Sequence, residues 1–282
     1  MPIRKFSEKN LTAEVLYRMR NTKNKRLRQV MASYVKHLHA FVRDVKPTQE
    51  EWMQGIQFLT ETGHWCTGKR QEFILMSDTL GVSMLVDAIN YRASKGATQS
   101  TVLGPFHREG APEFSLGTNL AKNASDGEPC LVTGTVRDTA GKPVAGAKLD
   151  IWEGGADGLY DAQKGDDMNL RGIFRADRDG KFHFTCVTPA FYPVPNDGPV
   201  GKMLLATGRH PMRPPHLHFF ITAPGYKPLV THLFRKGGKY LDSDAVFGVK
   251  PELIVDFRKN GGKSSVHYDF VLMPDRKRKG KR

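Results

Sequence analysis

Around Gly96 the sequence changes its period, and that change restricts the available folds more than any other feature. From about Leu11 to Asn90, apolar residues recur at three- and four-residue spacing, as in helices that bury one face. Pro47-Thr48-Gln49-Glu50-Glu51 reads as a helix start, and Ile74 to Ile89 as a further apolar helix. Roughly three to five helices are expected in this part.

Past Gly96, frequent Gly, Pro and Asp-Gly signals punctuate short runs rich in β-branched and aromatic residues. Leu131 to Asp138 and Ala147 to Trp152 flank a Gly141-Lys142-Pro143 turn, while Gly172 to Ala176 and Lys181 to Thr185 flank Asp179-Gly180. Leu217 to Thr222, Leu229 to Phe234 and Val266 to Leu272 follow. Strands at this spacing, with no long helix between them, predict an antiparallel β-sandwich. The expected class is mainly β with a helical N-terminal part: a helical domain over 1–100, the sandwich over 101–275, and a basic tail at 276–282.

A chain of 282 residues, 39% hydrophobic and 26% charged, can bury a sizeable core and is neither disordered nor fibrous in composition. No run approaches the ~18 apolar residues of a membrane span, and MPIRKFSEKN lacks the apolar stretch of a secretory signal. A cytoplasmic protein with no membrane association is expected. Three cysteines, Cys66, Cys130 and Cys186, are an odd number without CxxC spacing, which argues against a disulfide framework or thiolate metal site and for buried free thiols. The net charge of +14 raises the question of nucleic acid. Much of it is concentrated in Asn21 to Arg28 and in the last seven residues, Arg276 to Arg282, and such blocks are usually solvated tails, so nucleic acid is not expected as a main partner.

Arg213-Pro214-Pro215-His216-Leu217-His218-Phe219 is the sharpest local feature. On a strand, alternate side chains share a face, so His216 and His218 point one way and Leu217 and Phe219 the other. Two imidazoles on one face can chelate a metal, although such a pair also occurs as a solvated or core feature. No further His, Cys or carboxylate is evident close by in sequence. Two tyrosines occupy loop-like settings, Tyr160 in Asp157-Gly158-Leu159-Tyr160-Asp161 and Tyr192 in Phe191-Tyr192-Pro193-Val194-Pro195. Spacing alone leaves them open as ligands or as aromatic loop anchors.

Taken in order, Gly134 to Tyr160, Thr188 to Pro195 and Arg213 to Phe219 resemble the intradiol ring-cleavage dioxygenases, and the likeness covers nearly the whole chain, Ser100 to Phe106 included. The resemblance implies iron(III) held by Tyr160, Tyr192, His216 and His218, with Arg213 and Tyr192 as catalytic residues. It further implies that a catechol binds as a chelating dianion and displaces Tyr192, that O2 attacks the ring, and that Arg213 stabilises the developing negative charge. Phenolates, with a free pKa near ~10, suit ferric iron because the cation deprotonates them and they hold it oxidised.

Asp157 to Gln163, Pro195 to Leu204 and Leu241 to Lys250 resemble the hydroxyquinol branch of that family. Hydroxyquinol (benzene-1,2,4-triol) is therefore the expected substrate with O2, and catechol or a substituted catechol the alternative. Leu75, Asp78, Val102, Leu103, Gly104, Pro105, Phe106, Pro193, Arg213 and His232 are the expected substrate-binding residues. Asp78 can read the third hydroxyl or, in a bland role, cap a helix. His232 stands where catechol members carry Gln. The resemblance also implies a homodimer formed through the N-terminal helices, with a lipid-like molecule at the interface. A metal-free β-sandwich binding module is the alternative of another class.

Overall fold

The computed structural model describes residues 5–123, 126–165 and 167–275, so the basic tail expected at 276–282 lies outside the described residues. Two compact units divide between Thr60 and Glu61.

The first unit carries α1 (Leu11–Arg18), α2 (Lys25–Val45) and most of α3 (Gln49–His64). Asn24 Oδ1 accepts from Leu27 N at 3.0 Å and caps α2, which then ends at a left-handed Lys46. The basic stretch Asn21 to Arg28 therefore enters a helix at Lys25 instead of forming a solvated tail. Thr48 and Glu51 close a capping box, with Glu51 N on Thr48 Oγ1 at 3.2 Å and Thr48 N on Glu51 Oε2 at 2.8 Å, so α3 starts where its sequence signal lies.

In the second unit the single helix expected over Ile74 to Ile89 is two: α4 (Glu72–Thr79) and α5 (Val82–Asn90). Gly81, at φ 74°, breaks the run. Apolar residues at helical spacing run through both halves, so the spacing alone does not register such a break. There follow β1 (Pro129–Asp138), β2 (Lys148–Trp152), α6 (Asp161–Lys164), β3 (Arg171–Arg175), β4 (Lys181–Val187), β5 (Tyr192–Pro193) and α7 (Pro199–Ala206). Then come β6 (Met212–Arg213), β7 (His216–Thr222), β8 (Leu229–Arg235), β9 (Ile254–Val255), β10 (Arg258–Asn260), β11 (Lys263–His267) and β12 (Phe270–Leu272).

One sheet centres on β1, flanked by β4 on one side and by β11 and β12 on the other; a second runs β3-β2-β7-β8-β9. The expectation of purely antiparallel sheets is corrected: β1 pairs parallel with β11 and β12, and β8 pairs parallel with β9. Nor do β1 and β2 form a hairpin. A local bridge joins Arg137 to Pro143, after which the chain passes to the other sheet, as it does again between β3 and β4. The single strand expected over Val266 to Leu272 splits around Asp269, whose Oδ1 accepts from Thr135 N at 2.9 Å in place of a ladder carbonyl. Gly134 permits this, because a Cβ there would lie 1.8 Å from the Tyr268 carbonyl oxygen.

Both sheets fill one apolar core. Val132, Val136, Phe182, Phe184 and Phe270 come from the first, and Leu149, Ile151, Phe174, Leu217, Phe219 and Leu233 from the second. Each such side chain contributes about 1.5–3 kcal/mol by leaving water. Cys130 and Cys186 are buried free thiols as expected, whereas Cys66 is only half-buried. No helix among the described residues is long and apolar enough to cross a membrane.

Candidate metal centre

The alternation along β7 separates two tasks. Leu217, Phe219 and Ile221 enter the inter-sheet core, and this anchors His216 and His218 on the opposite face. Trp152 lies directly across from His218 on β2 and stacks on its ring at 4.7 Å and 17°. On the other side, β8 places His232 opposite His218.

The tyrosines arrive from outside these sheets. The short β5–β6 pair sets Tyr192 directly opposite Arg213. Tyr160 precedes α6, its backbone N–H donating to Gln163 Oε1 at 2.9 Å and its ring stacking on Phe106 at 4.4 Å. Gly158, at φ 76°, lets this loop close on Tyr192, since a Cβ there would come 2.9 Å from Tyr192 Cβ. Next to Tyr160, buried Asp161 takes an ion pair from Arg171 and a second from Arg108 at 3.2 Å.

Four donor atoms converge. Tyr160 Oη lies 3.0 Å from both Tyr192 Oη and His218 Nε2, Tyr192 Oη lies 3.4 Å from His216 Nε2, and the two Nε2 atoms are 3.1 Å apart. A transition-metal cation with bonds of ~2.0–2.2 Å holds neighbouring ligands ~2.8–3.6 Å apart, so the set fits one cation. His216 Nδ1 donates to the Pro214 carbonyl at 2.6 Å, which turns the lone pair of Nε2 inward. A lone pair on His218 Nε2 would repel it at this distance unless a shared proton or cation lay between them. The ligand atoms of His216, His218 and His232 also lie within 4.8 Å of one another.

Burial sets the electrostatics. It pushes all three histidines well below their usual range, with the neighbouring Arg213 charge adding to the effect, so the imidazoles are neutral and able to ligate. Burial also raises both phenols. For Tyr192, Arg213 and the hydrogen bond from Tyr160 work against that rise, whereas Tyr160 is raised further by Tyr192. Burial opposes the Arg213 charge, but Asp244 outweighs it and the guanidinium stays protonated.

The other expected residues are distributed around this set. Leu75, from α4, and Val102 belong to a second apolar cluster with Val194, Val200, Leu204 and Val246. Gly104, at φ 79°, approaches His218, and a Cβ there would lie 3.3 Å from His218 Cε1. Pro105 is half-buried, while Leu103 and Pro193 are exposed. Asp78 lies in the last turn of α4, which corrects its reading as a helix N-cap; it is buried, and its Oδ2 has no hydrogen-bond partner among the described residues.

Asp244 received no role from the sequence. Its carboxylate takes two hydrogen bonds from Arg213, Nε to Oδ1 at 3.0 Å and Nη2 to Oδ2 at 3.2 Å. The run Leu241 to Lys250 contains it, but nothing local marks it as the partner of a residue 31 positions earlier. A cavity of ≈ 510 Å³ reaches Asp244 and is lined also by Arg209, His210, Leu241 and Phe247.

Residues 102–274 match the family model described as Dioxygenase, and residues 24–98 that described as Catechol dioxygenase N terminus. A 6-chlorohydroxyquinol 1,2-dioxygenase of Cupriavidus pinatubonensis is 52% identical over 96% of this chain and 99% of its own length. A hydroxyquinol 1,2-dioxygenase of a Rhizobium species is 49% identical over 95% of this chain and 96% of its own. Among solved structures, hydroxyquinol 1,2-dioxygenase from Pseudomonas putida DLL-E4 aligns at TM-score 0.86 and 48% identity over 95% of this chain and 99% of that one. With the helical and β parts both matched, and with such identity over almost its full length, the chain belongs to the intradiol ring-cleavage dioxygenases.

Proposed function

We propose that this chain opens the ring of hydroxyquinol with O2 between its two adjacent hydroxyls, giving 3-hydroxy-cis,cis-muconate, which tautomerises to maleylacetate. The convergence of two phenols and two neutral imidazoles beside a buried arginine carries this reading. Tyr160, Tyr192, His216 and His218 would hold iron(III), which when bound supplies a Lewis acid that accepts electron density from a chelated catechol.

The chain's own groups supply the rest. As the phenolate that bound iron would stabilise, Tyr192 Oη would take a substrate hydroxyl proton, and Arg213 Nη1, 3.4 Å from that oxygen, provides a fixed positive charge beside it. Tyr160, held by the Phe106 stack and by Gln163, stays in place. Leu75 and Val102 supply an apolar wall, with Gly104, Pro105 and Phe106 on the His218 and Tyr160 side and Leu103 and Pro193 at the exposed rim. Asp78 Oδ2 receives the third hydroxyl, and His232 offers a second polar contact.

The same reading assigns 101–275 to catalysis, as a layered β-sandwich, and 1–100 to pairing. On α2, Val30, Tyr34, Leu38, Phe41 and Val45 form an exposed apolar stripe at helical spacing, which supports a homodimer. A cavity of ≈ 460 Å³ in the first unit, lined by Leu16, Met19, Lys25, Arg28 and Lys36, supports a bound lipid.

Iron assay and the visible spectrum before and after anaerobic hydroxyquinol test the function. A tyrosinate-to-iron band that moves to longer wavelength, followed by ring opening on admitting O2, is expected. A chain that stays colourless after iron reconstitution would overturn it, and catechol turned over as efficiently as hydroxyquinol would overturn the substrate.

A further inference from the structure

We propose that Asp244 is the positioning residue of this centre: its carboxylate fixes the Arg213 guanidinium in the orientation that aims Nη1 at Tyr192 and not at Tyr160. The proposal rests on the reading above.

Among the described residues, the guanidinium bonds only to Asp244 and Tyr192: Nε and Nη2 to the carboxylate at 3.0 and 3.2 Å, and Nη1 to Tyr192 Oη at 3.4 Å. A two-point carboxylate clamp fixes the plane of an arginine, whereas a single contact leaves it free to swing. Both side chains are almost wholly buried, at 1% and 2% exposure, so water does not compete for the pair.

Asp244 is itself held from several sides. Its carboxylate accepts from Gly248 N at 3.0 Å and Val246 N at 3.3 Å, and its backbone carbonyl accepts from Phe247 N at 3.0 Å. Ala245 N donates to the Met212 carbonyl at 3.0 Å, which latches the loop to the residue just before Arg213. Tyr240 and Phe247, at φ 65° and 58°, bracket this loop in the left-handed region. Bulky residues stay in that region only where the surroundings over-determine them. A Cβ at Gly248 would stand 3.0 Å from Thr101 Oγ1, 3.1 Å from Arg213 Nη2 and 3.2 Å from Asp244 Oδ2, so any larger residue there would crowd the clamp.

The consequence is an asymmetry between the two phenols. Tyr192 Oη faces a fixed cation, whereas the Tyr160 hydroxyl, among the described residues, hydrogen-bonds only within the donor set.

Asp244→Asn in the iron-loaded enzyme tests this, because the amide keeps the shape but removes the charge and one acceptor. Expected are iron content close to wild type, a lowered melting temperature because the buried Arg213 charge loses its counter-charge, a displaced tyrosinate-to-iron band, and a fall in kcat on the order of 10²-fold with KM little changed. Asp244→Glu should recover part of both band and kcat. If Asp244→Asn does not fold, Gly248→Ala displaces the pair without removing a charge and should move the band in the same direction. A coloured, active wild type with the band unmoved in whichever variant folds overturns this proposal alone. A wild type that never binds iron overturns the functional reading and this proposal together.

Discussion

His232 faces His218 across the β7–β8 ladder with ring centroids 4.1 Å apart and is fully buried, and among the described residues neither ring nitrogen makes a well-aligned hydrogen bond, the Val102 backbone being its near polar neighbour. A buried polar group left unpaired costs about 1–3 kcal/mol, and the substrate contact proposed above for His232 would relieve part of such a cost. His232→Leu, similar in volume, should therefore raise the melting temperature of the iron-free protein while lowering kcat/KM for hydroxyquinol. Calorimetry and steady-state rates on one preparation check both. Unchanged turnover would leave His232 as a packing residue.

The His216–His218 pair was legible because a strand's two-residue period is written into adjacent positions, and Leu217 and Phe219 in the core confirm the face assignment. The approach of Tyr160 to Tyr192 was not legible from spacing. It depends on Gly158 admitting one loop against the other, and only family resemblance singled the tyrosines out. Asp244 escaped because its partner lies across a loop, and His232 joined the cluster through strand pairing that no local pattern encodes. The parallel edges β11 and β12 were hidden for the same reason: the direction in which a returning strand meets β1 is a property of the connection and not of the strand's own residues.

The two tyrosines should respond differently to loss of the hydroxyl. The two hydroxyls share one contact at 3.0 Å, but Tyr160 Oη lies 3.0 Å from its histidine, His218, whereas Tyr192 Oη lies 3.4 Å from His216 Nε2 and alone bonds Arg213 Nη1, at 3.4 Å. Tyr160→Phe should sharply lower iron content. Tyr192→Phe should keep iron and one tyrosinate band but lose turnover by roughly 10²–10⁴-fold, the usual scale for a missing proton acceptor. Metal analysis and the visible spectrum separate the two outcomes.

Glu153, whose charge also acts on Tyr160, supplies a pH-dependent test of stability. It is buried, its Oε1 accepts from Val187 N at 3.0 Å, and Oε2 has no hydrogen-bond partner among the described residues. Burial pushes its carboxyl well above the usual range, only partly offset by the Val187 N–H, so the folded chain favours the protonated acid. An acid whose folded pKa is raised contributes stability that is fully present below its unfolded pKa and is lost as pH rises through the folded one. Glu153→Gln mimics the protonated form at every pH. It should melt higher than wild type at neutral and alkaline pH, and the difference should vanish in acid below the ordinary carboxylate range; a constant offset across pH would show that titration of Glu153 is not the cause.

Asp78 is the residue through which substrate preference can be measured. Burial raises its carboxyl while Ser83 and Arg213 act in the opposite direction, and Oδ2 remains available as a partner. A site built around a hydrogen bond discriminates against an analogue that lacks the bonding group, because the buried partner is then left unpaired. Asp78→Ala should therefore reduce kcat/KM for hydroxyquinol by on the order of 10²-fold and affect catechol far less, narrowing the ratio between them. The ratio is the informative quantity, since a general loosening of α4, whose Leu75 packs with Val200 and Leu204, would lower turnover of both substrates together. A parallel loss would assign Asp78 to holding the helix, and the preference for the triol would then have to arise elsewhere in the pocket, with His232 the next polar group to test.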